Sequence, residues 1–91
     1  MLHSREQEIL SWLLMRSRRQ DRIVYNALNN HQCRPTVNLG TDDQGRVMPV
    51  VTVTSRSGVE YRVGVYLHPV TGEPHNFGRL ENGSTAETIT L

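Results

Sequence analysis

The hydrophobic period of this 91-residue chain changes once, at Pro35, and that change limits the folds open to it. Over residues 4–29, apolar side chains recur at spacings of three and four, which is typical of an amphipathic helix. Over residues 46–54 and 59–67 they alternate, which is typical of half-buried strands. The pattern predicts an α+β fold, with one long N-terminal helix packed on a three- to four-stranded antiparallel β-meander.

The start and the continuity of the helix follow from polar residues in the first third of the chain. Ser4 and Gln7 have the form of a capping box, which predicts the first turn. A polar stretch at residues 16–22 interrupts the apolar pattern, but the apolar faces on its two sides remain in phase. One helix over residues 4–29 is therefore favoured, and a helical hairpin is the alternative.

The two clearest strand patterns predict their own register, because one alignment alone separates their side chains into two consistent faces. The three residues 56–58 would form the hairpin loop, with Gly58 in the left-handed conformation. One face then pairs Val53 with Tyr61, Val51 with Val63, Pro49 with Val65 and Val47 with Leu67. The other face pairs Thr54 with Glu60, Thr52 with Arg62, Val50 with Gly64 and Met48 with Tyr66.

The rest of the chain completes a single domain. Residues 36–39 and 75–80 are further strand candidates, and Pro49, which lacks an N–H donor, predicts a sheet edge or a bulge. Residues 1–80 are predicted to form one α+β domain. Residues 81–91 are polar and are predicted to be a tail or a weak edge strand.

Arginine supplies all ten basic side chains other than histidine, and no lysine is present. Four arginines lie close together, at Arg16, Arg18, Arg19 and Arg22. The guanidinium group presents a planar fork of donors that fits carboxylates and phosphates. The cluster therefore predicts an acidic protein partner or, as the alternative, RNA or DNA. A solvated helix face without a ligand is the structural alternative.

A second candidate surface lies on the sheet face that the predicted helix does not cover. Met48, Val50, Gly64 and Tyr66 form an uncharged patch there. An exposed apolar patch of this kind is typical of a protein interface. The alternative is that part of the helix or the tail folds over this face and buries it.

Metal binding and catalysis have weak support in the sequence. The side chains that could in principle hold zinc are His31, Cys33, His68 and His75, but their spacing is not a recognised ligand frame. Nucleotide-binding loops and hydrolase nucleophile motifs are not found. A ribonuclease-like set of Thr52, Glu60 and Arg62 is a less favoured hypothesis, with ordinary strand residues as its alternative. No catalytic residue, metal or cofactor is predicted.

The sequence thus predicts a small non-enzymatic regulator, adaptor or inhibitor that binds a protein with an acidic surface and could also form a homodimer. The predicted partner-binding residues are Trp12, Arg16, Arg18, Arg19, Arg22, Met48, Val50 and Tyr66. The single Cys33 and the lack of a long apolar segment favour a cytoplasmic protein without a membrane span.

Overall fold

Two helices precede a four-stranded antiparallel sheet in the computed structural model, which describes residues 4–80. The helices are α1 (Ser4–Gln20) and α2 (Arg22–Leu28), and the strands are β1 (Thr36–Thr41), β2 (Val47–Thr54), β3 (Glu60–Leu67) and β4 (Pro74–Leu80). The strands neighbour one another in chain order, so the predicted α+β meander is confirmed. Neither of the helices in these residues has the length and apolarity needed to cross a bilayer. The predicted tail, residues 81–91, lies outside the described residues.

The helical segment is interrupted at Asp21, so the favoured single helix over residues 4–29 was wrong, and the segment forms the two helices α1 and α2. Asp21 has an extended backbone (φ −151°, ψ 94°), and its side chain accepts hydrogen bonds from the N–H groups of Ile23 and Val24. Aspartate is a poor residue for a helix interior and a strong N-cap, because its carboxylate satisfies N–H groups that the first turn leaves free. The second helix therefore starts from Asp21.

The predicted register of β2 and β3 is confirmed for five consecutive pairs, from Thr54 with Glu60 to Val50 with Gly64. The hairpin loop is as predicted, with Gly58 at φ 88°. Beyond Val50 and Gly64 the two strands no longer pair with each other. There β2 stays paired with β1, and β3 stays paired with β4. The central strands therefore separate at one end of the sheet, where three further predicted pairs do not form.

Pro49 lies in this separated part of β2. It pairs with Leu39 of β1, and β2 is an interior strand, so the prediction of a sheet edge was wrong. The register of the sheet shifts between Tyr66 and Leu67, in the pairing of β3 with β4. A proline cannot donate a ladder hydrogen bond, and it is placed here where β2 has lost its β3 neighbour.

The core lies between the helices and one face of the sheet. The helices contribute Ile9, Leu13, Val24 and Ala27, and the strands contribute Val37, Val51, Val53, Val63 and Val65. These helix residues belong to the predicted apolar face. Ile23, an apolar residue in the first turn of α2, is 46% exposed.

Candidate functional site

The C-terminal half of α1 forms a groove of about 560 Å³ on the protein surface. We call it the arginine groove, and its lining residues are Trp12, Met15, Arg16, Arg18, Arg19 and Gln20. Residues three and four positions apart on a helix are neighbours, so Trp12, Met15, Arg16 and Arg19 form one continuous patch. The groove thus combines apolar side chains with three guanidinium groups.

Trp12 anchors this groove to the sheet. Its ring packs edge-to-face against Phe77 of β4, with the ring centroids 6.1 Å apart. The guanidinium carbon of Arg16 lies 5.6 Å from the centroid of the Trp12 ring, within the range of a cation–π contact. Met15 beside them is 73% exposed. The groove therefore contains an aromatic ring held against the sheet, a guanidinium group held over that ring, and an accessible apolar side chain.

The guanidinium groups of the arginine groove form no ion pair with any acidic side chain of residues 4–80. Arg5, Arg46 and Arg79 form ion pairs with Glu8, Asp42 and Asp21, at 2.8, 2.9 and 2.9 Å. Among residues 4–80, by contrast, no carboxylate pairs with Arg16, Arg18 or Arg19. Arg18 and Arg19 lie in the last turn of α1, where cations complement the helix dipole. This structural role leaves their guanidinium groups available to a ligand.

Arg22 is separated from the other three arginines by the helix break. It belongs to α2 and does not line the arginine groove. Its guanidinium lies over the ring of Tyr25, 5.1 Å from the centroid. The predicted cluster of four arginines is therefore a group of three in one groove and a fourth on the next helix.

The second predicted surface is not an open apolar patch. Met48 and Val50 are buried, and Tyr66 is half-buried. A Cβ atom at Gly64 would lie only 2.8 Å from the sulfur of Met48 and 3.5 Å from Cδ2 of Leu80, so both side chains lie close above this glycine. Val50 is therefore not an accessible anchor in this conformation.

Met48 and Tyr66 instead line a second groove, of about 630 Å³, where β2 and β3 separate. We call it the sheet-end groove, and its lining residues are Arg46, Val47, Met48, Tyr66, Leu67, Pro69, His75 and Asn76. Six of the eight predicted site residues thus line one of the two grooves, and Arg22 and Val50 line neither. Sequence reasoning missed Met15 in the first groove and Arg46 in the second. The Asp-Asp-Gln-Gly turn before Arg46 was the available signal, because aspartate in a turn commonly binds nearby backbone.

Two of the histidines considered as metal ligands lie close together, and Cys33 lies in an earlier turn. His68 and His75 have ring centroids 6.0 Å apart, and Cys33 is exposed. Within residues 4–80 no three histidine, cysteine or acidic side chains are placed to hold a metal ion. Glu60 and Arg62 lie on β3 in the register predicted for them.

The chain matches no known family model, and no curated protein and no solved structure is significantly similar to it. Function is therefore inferred from the two grooves alone. Of these, the arginine groove offers three cations and the exposed apolar side chain of Met15 to a ligand. Such a combination suits carboxylates carried next to an apolar side chain.

Proposed function

We propose that the protein is a small non-enzymatic regulator, adaptor or inhibitor that binds an acidic segment of a partner protein in the arginine groove. The observation that carries this proposal is the grouping of Arg16, Arg18 and Arg19 around Trp12, with no ion pair to any of residues 4–80. Binding would break no ion pair between these residues and any other of residues 4–80. Aromatic and arginine side chains are also the types that dominate binding energy at protein interfaces.

The groove suits a peptide better than a nucleic acid. An acidic segment can offer carboxylates to Arg18 and Arg19 and an apolar side chain to Met15. Sequence-tolerant binding of single strands relies on aromatic rings that stack with bases. The one aromatic ring of the groove, Trp12, already contacts Arg16 and Phe77. RNA or DNA binding remains the alternative, because three neighbouring guanidinium groups can also contact phosphates.

Trp12 is the single tryptophan of the chain, so its fluorescence reports on this groove directly. The probe is a synthetic peptide of glutamates around one central leucine, and its glutamine counterpart and a single-stranded oligonucleotide are compared with it. We expect a saturable fluorescence change with the acidic peptide and a much smaller one with the glutamine peptide. Raising the salt concentration should weaken binding, because the charges are exposed.

A double variant, Arg18→Ala with Arg19→Ala, tests the assignment to the groove. Removing two exposed charge contacts at about 0.7 kcal/mol each should weaken binding about tenfold. The matched control is Arg34→Ala with Arg56→Ala, which removes the same charge from two exposed residues that do not line the groove. An equal loss in the control would mean generic charge attraction, and tighter binding of the oligonucleotide than of the peptide would favour the nucleic-acid alternative.

A further inference from the structure

The sheet-end groove has the composition of a small-molecule site. Its apolar lining comes from Val47, Met48, Leu67 and Pro69, and its polar groups come from Arg46, Tyr66, His75 and Asn76. Its volume of about 630 Å³ lies within the range of known ligand sites, which combine apolar walls with a few fixed polar groups. The groove exists because β2 and β3 stop pairing after Val50 and Gly64.

The central polar group of this groove, Arg46, is held by a buried carboxylate. Oδ2 of Asp42 accepts a hydrogen bond from Nε of Arg46 at 2.9 Å and a longer one from the Tyr66 hydroxyl at 3.4 Å. Oδ1 accepts from the backbone N–H groups of Gln44 and Arg46, each at 2.9 Å. Both carboxylate oxygens of Asp42 therefore accept hydrogen bonds, and Asp42 holds the side chains of Arg46 and Tyr66 in place.

The guanidinium of Arg46 keeps its outer edge available. It lies over the Tyr66 ring, 5.2 Å from the centroid, and its recorded hydrogen bond uses Nε. Nη1 and Nη2 make no hydrogen bond to any of residues 4–80. The side chain is 60% exposed. Two donors on a cation that is already oriented bind an oxyanion with little further loss of entropy.

The charge that a ligand would meet in this groove is that of Arg46, which the ion pair with Asp42 partly offsets. Among the described residues that line it, Arg46 carries the fixed charge and none is acidic. Burial raises the pKa of the Asp42 carboxyl, but hydrogen bonds from Arg46 and Gln44 outweigh burial and hold that pKa below its ordinary value of 3.8. Asp42 is therefore ionised at neutral pH, and its charge is directed at Arg46, Tyr66 and the turn.

We propose that the sheet-end groove binds a small organic anion, with its carboxylate or phosphate held by Arg46 and its apolar body against Met48 and Leu67. This site is distinct from the arginine groove and does not depend on the function proposed above. Asp42 acts as a positioning residue, because it holds the guanidinium without contacting the ligand. Tyr66 supports the same guanidinium through its ring.

The test uses amide NMR spectra of the full chain, titrated separately with benzoate, phenyl phosphate and the neutral benzyl alcohol. We expect saturable shifts confined to residues 46–48, 66–69 and 75–76 with at least one of the two anions. A dissociation constant on the order of 1 mM is expected for fragments of this size. The stronger of the two anions identifies the head group. Benzyl alcohol should bind at least tenfold more weakly.

Variants then separate recognition by Arg46 from a general structural effect. Arg46→Gln should weaken binding of the anion about tenfold and leave the weak binding of benzyl alcohol unchanged. Arg46→Lys keeps the charge but loses the fork, and it should weaken anion binding about threefold to tenfold. The affinity of Asp42→Asn for the anion should lie between the affinities of the wild type and of Arg46→Gln. Arg56→Gln is the matched control for charge and should bind like the wild type.

Several results would overturn this proposal. These are the lack of a saturable shift with both anions, benzyl alcohol binding as tightly as the anions, or wild-type affinity in both Arg46 variants. Shifts centred on the arginine groove would also contradict it. The variant Arg18→Ala with Arg19→Ala is expected to bind the anion normally, so failure of this site and failure of the proposed function can be told apart.

Discussion

Arg79 of β4 forms an ion pair with Asp21, with Nε 2.9 Å from Oδ2, and so ties the break between α1 and α2 to the edge of the sheet. The other carboxylate oxygen of Asp21 accepts hydrogen bonds from the N–H groups of Ile23 and Val24, at 3.2 and 3.3 Å. One carboxylate therefore starts α2 and links the helix layer to the sheet. The same break separates Arg22 from the arginine groove.

The two roles of Asp21 can be separated by substitution. Asp21→Ala removes both the cap and the ion pair, and it should lower the free energy of unfolding by about 1–2 kcal/mol. Asp21→Asn keeps the capping oxygen and should cost less than about 1 kcal/mol, since a partly exposed ion pair contributes little. Urea unfolding measures both losses. Equal losses of unfolding free energy in the two variants would show that capping contributes nothing. Arg79→Ala should lower the free energy of unfolding by the same amount as Asp21→Asn.

Asp42 should make the fold sensitive to acid. Its folded pKa lies below 3.8 because hydrogen bonds from Arg46 and Gln44 outweigh the effect of burial. A depressed carboxyl pKa contributes stability that is present above pH 3.8 and is lost as the pH falls through the folded value. Between pH 4 and pH 2, the free energy of unfolding should therefore fall more steeply in wild type than in Asp42→Asn.

Urea midpoints across this pH series measure that effect, and the neighbouring exposed residue supplies the control. Asp43→Asn makes the same chemical change in the same turn and serves as the matched control. If Asp42→Asn and wild type lose stability in parallel below pH 4, the hydrogen bonds to Asp42 do not favour its ionised form.

Tyr66 should lose its proton at a higher pH than an ordinary tyrosine, and this ionisation should destabilise the fold at high pH. Burial, followed by the negative charge of Asp42 and the hydrogen bond to it, raises the pKa of Tyr66 above 10.0, although the charge of Arg46 partly offsets this. Because the folded pKa is raised, the associated stability is present below pH 10.0 and is lost as the pH rises through the folded value. Tyrosinate absorbance of wild type, minus that of Tyr66→Phe, isolates this group.

Asp42→Asn provides an internal check on that assignment. Removing the negative charge should lower the Tyr66 midpoint toward 10.0 without removing the ring from its place beside Arg46. A Tyr66 component that titrates at or below 10.0 in the wild type would contradict the expected pKa shift.

Gly64 and Gly78 face each other across β3 and β4 but differ in the room around them. A Cβ at Gly64 would lie 2.8 Å from the Met48 sulfur, whereas the nearest atom to a Cβ at Gly78 is Cε2 of Tyr66, at 4.0 Å. Gly64→Ala should therefore be less stable than Gly78→Ala by about 1 kcal/mol, because Met48 must move. Thermal or urea unfolding of the two variants, compared directly, tests this difference.

Much of the fold could be predicted from local patterns. The alternation of Val51, Val53, Val63 and Val65 predicts which strand face is buried, and it determines the register that the structure contains. The amphipathic spacing similarly identifies Ile9 and Leu13 as core residues. The helix break was harder to predict, because a helix through Asp21 and a cap at Asp21 are close in energy when local sequence alone is considered.

For the candidate sites, spacing along a helix was enough to bring Trp12, Arg16 and Arg19 together, since neighbours three or four apart share a face. Spacing could not predict that Arg22 lies apart, or that Met48 and Val50 are buried. Nor could it predict Arg46 held over Tyr66, because Arg46 lies in the turn before β2 and meets Tyr66 of β3 only through the sheet.

By itself, then, the sequence determined the α+β class, the order of the strands, the central register and the helical origin of the arginine groove. These depend on hydrophobic period and turn residues, which act over a few neighbouring positions. Tertiary structure alone decided the separation of β2 from β3 and the placement of Tyr66 beside Asp42 and Arg46. Each of these depends on contacts between distant parts of the chain, and such contacts leave no periodic trace in the sequence.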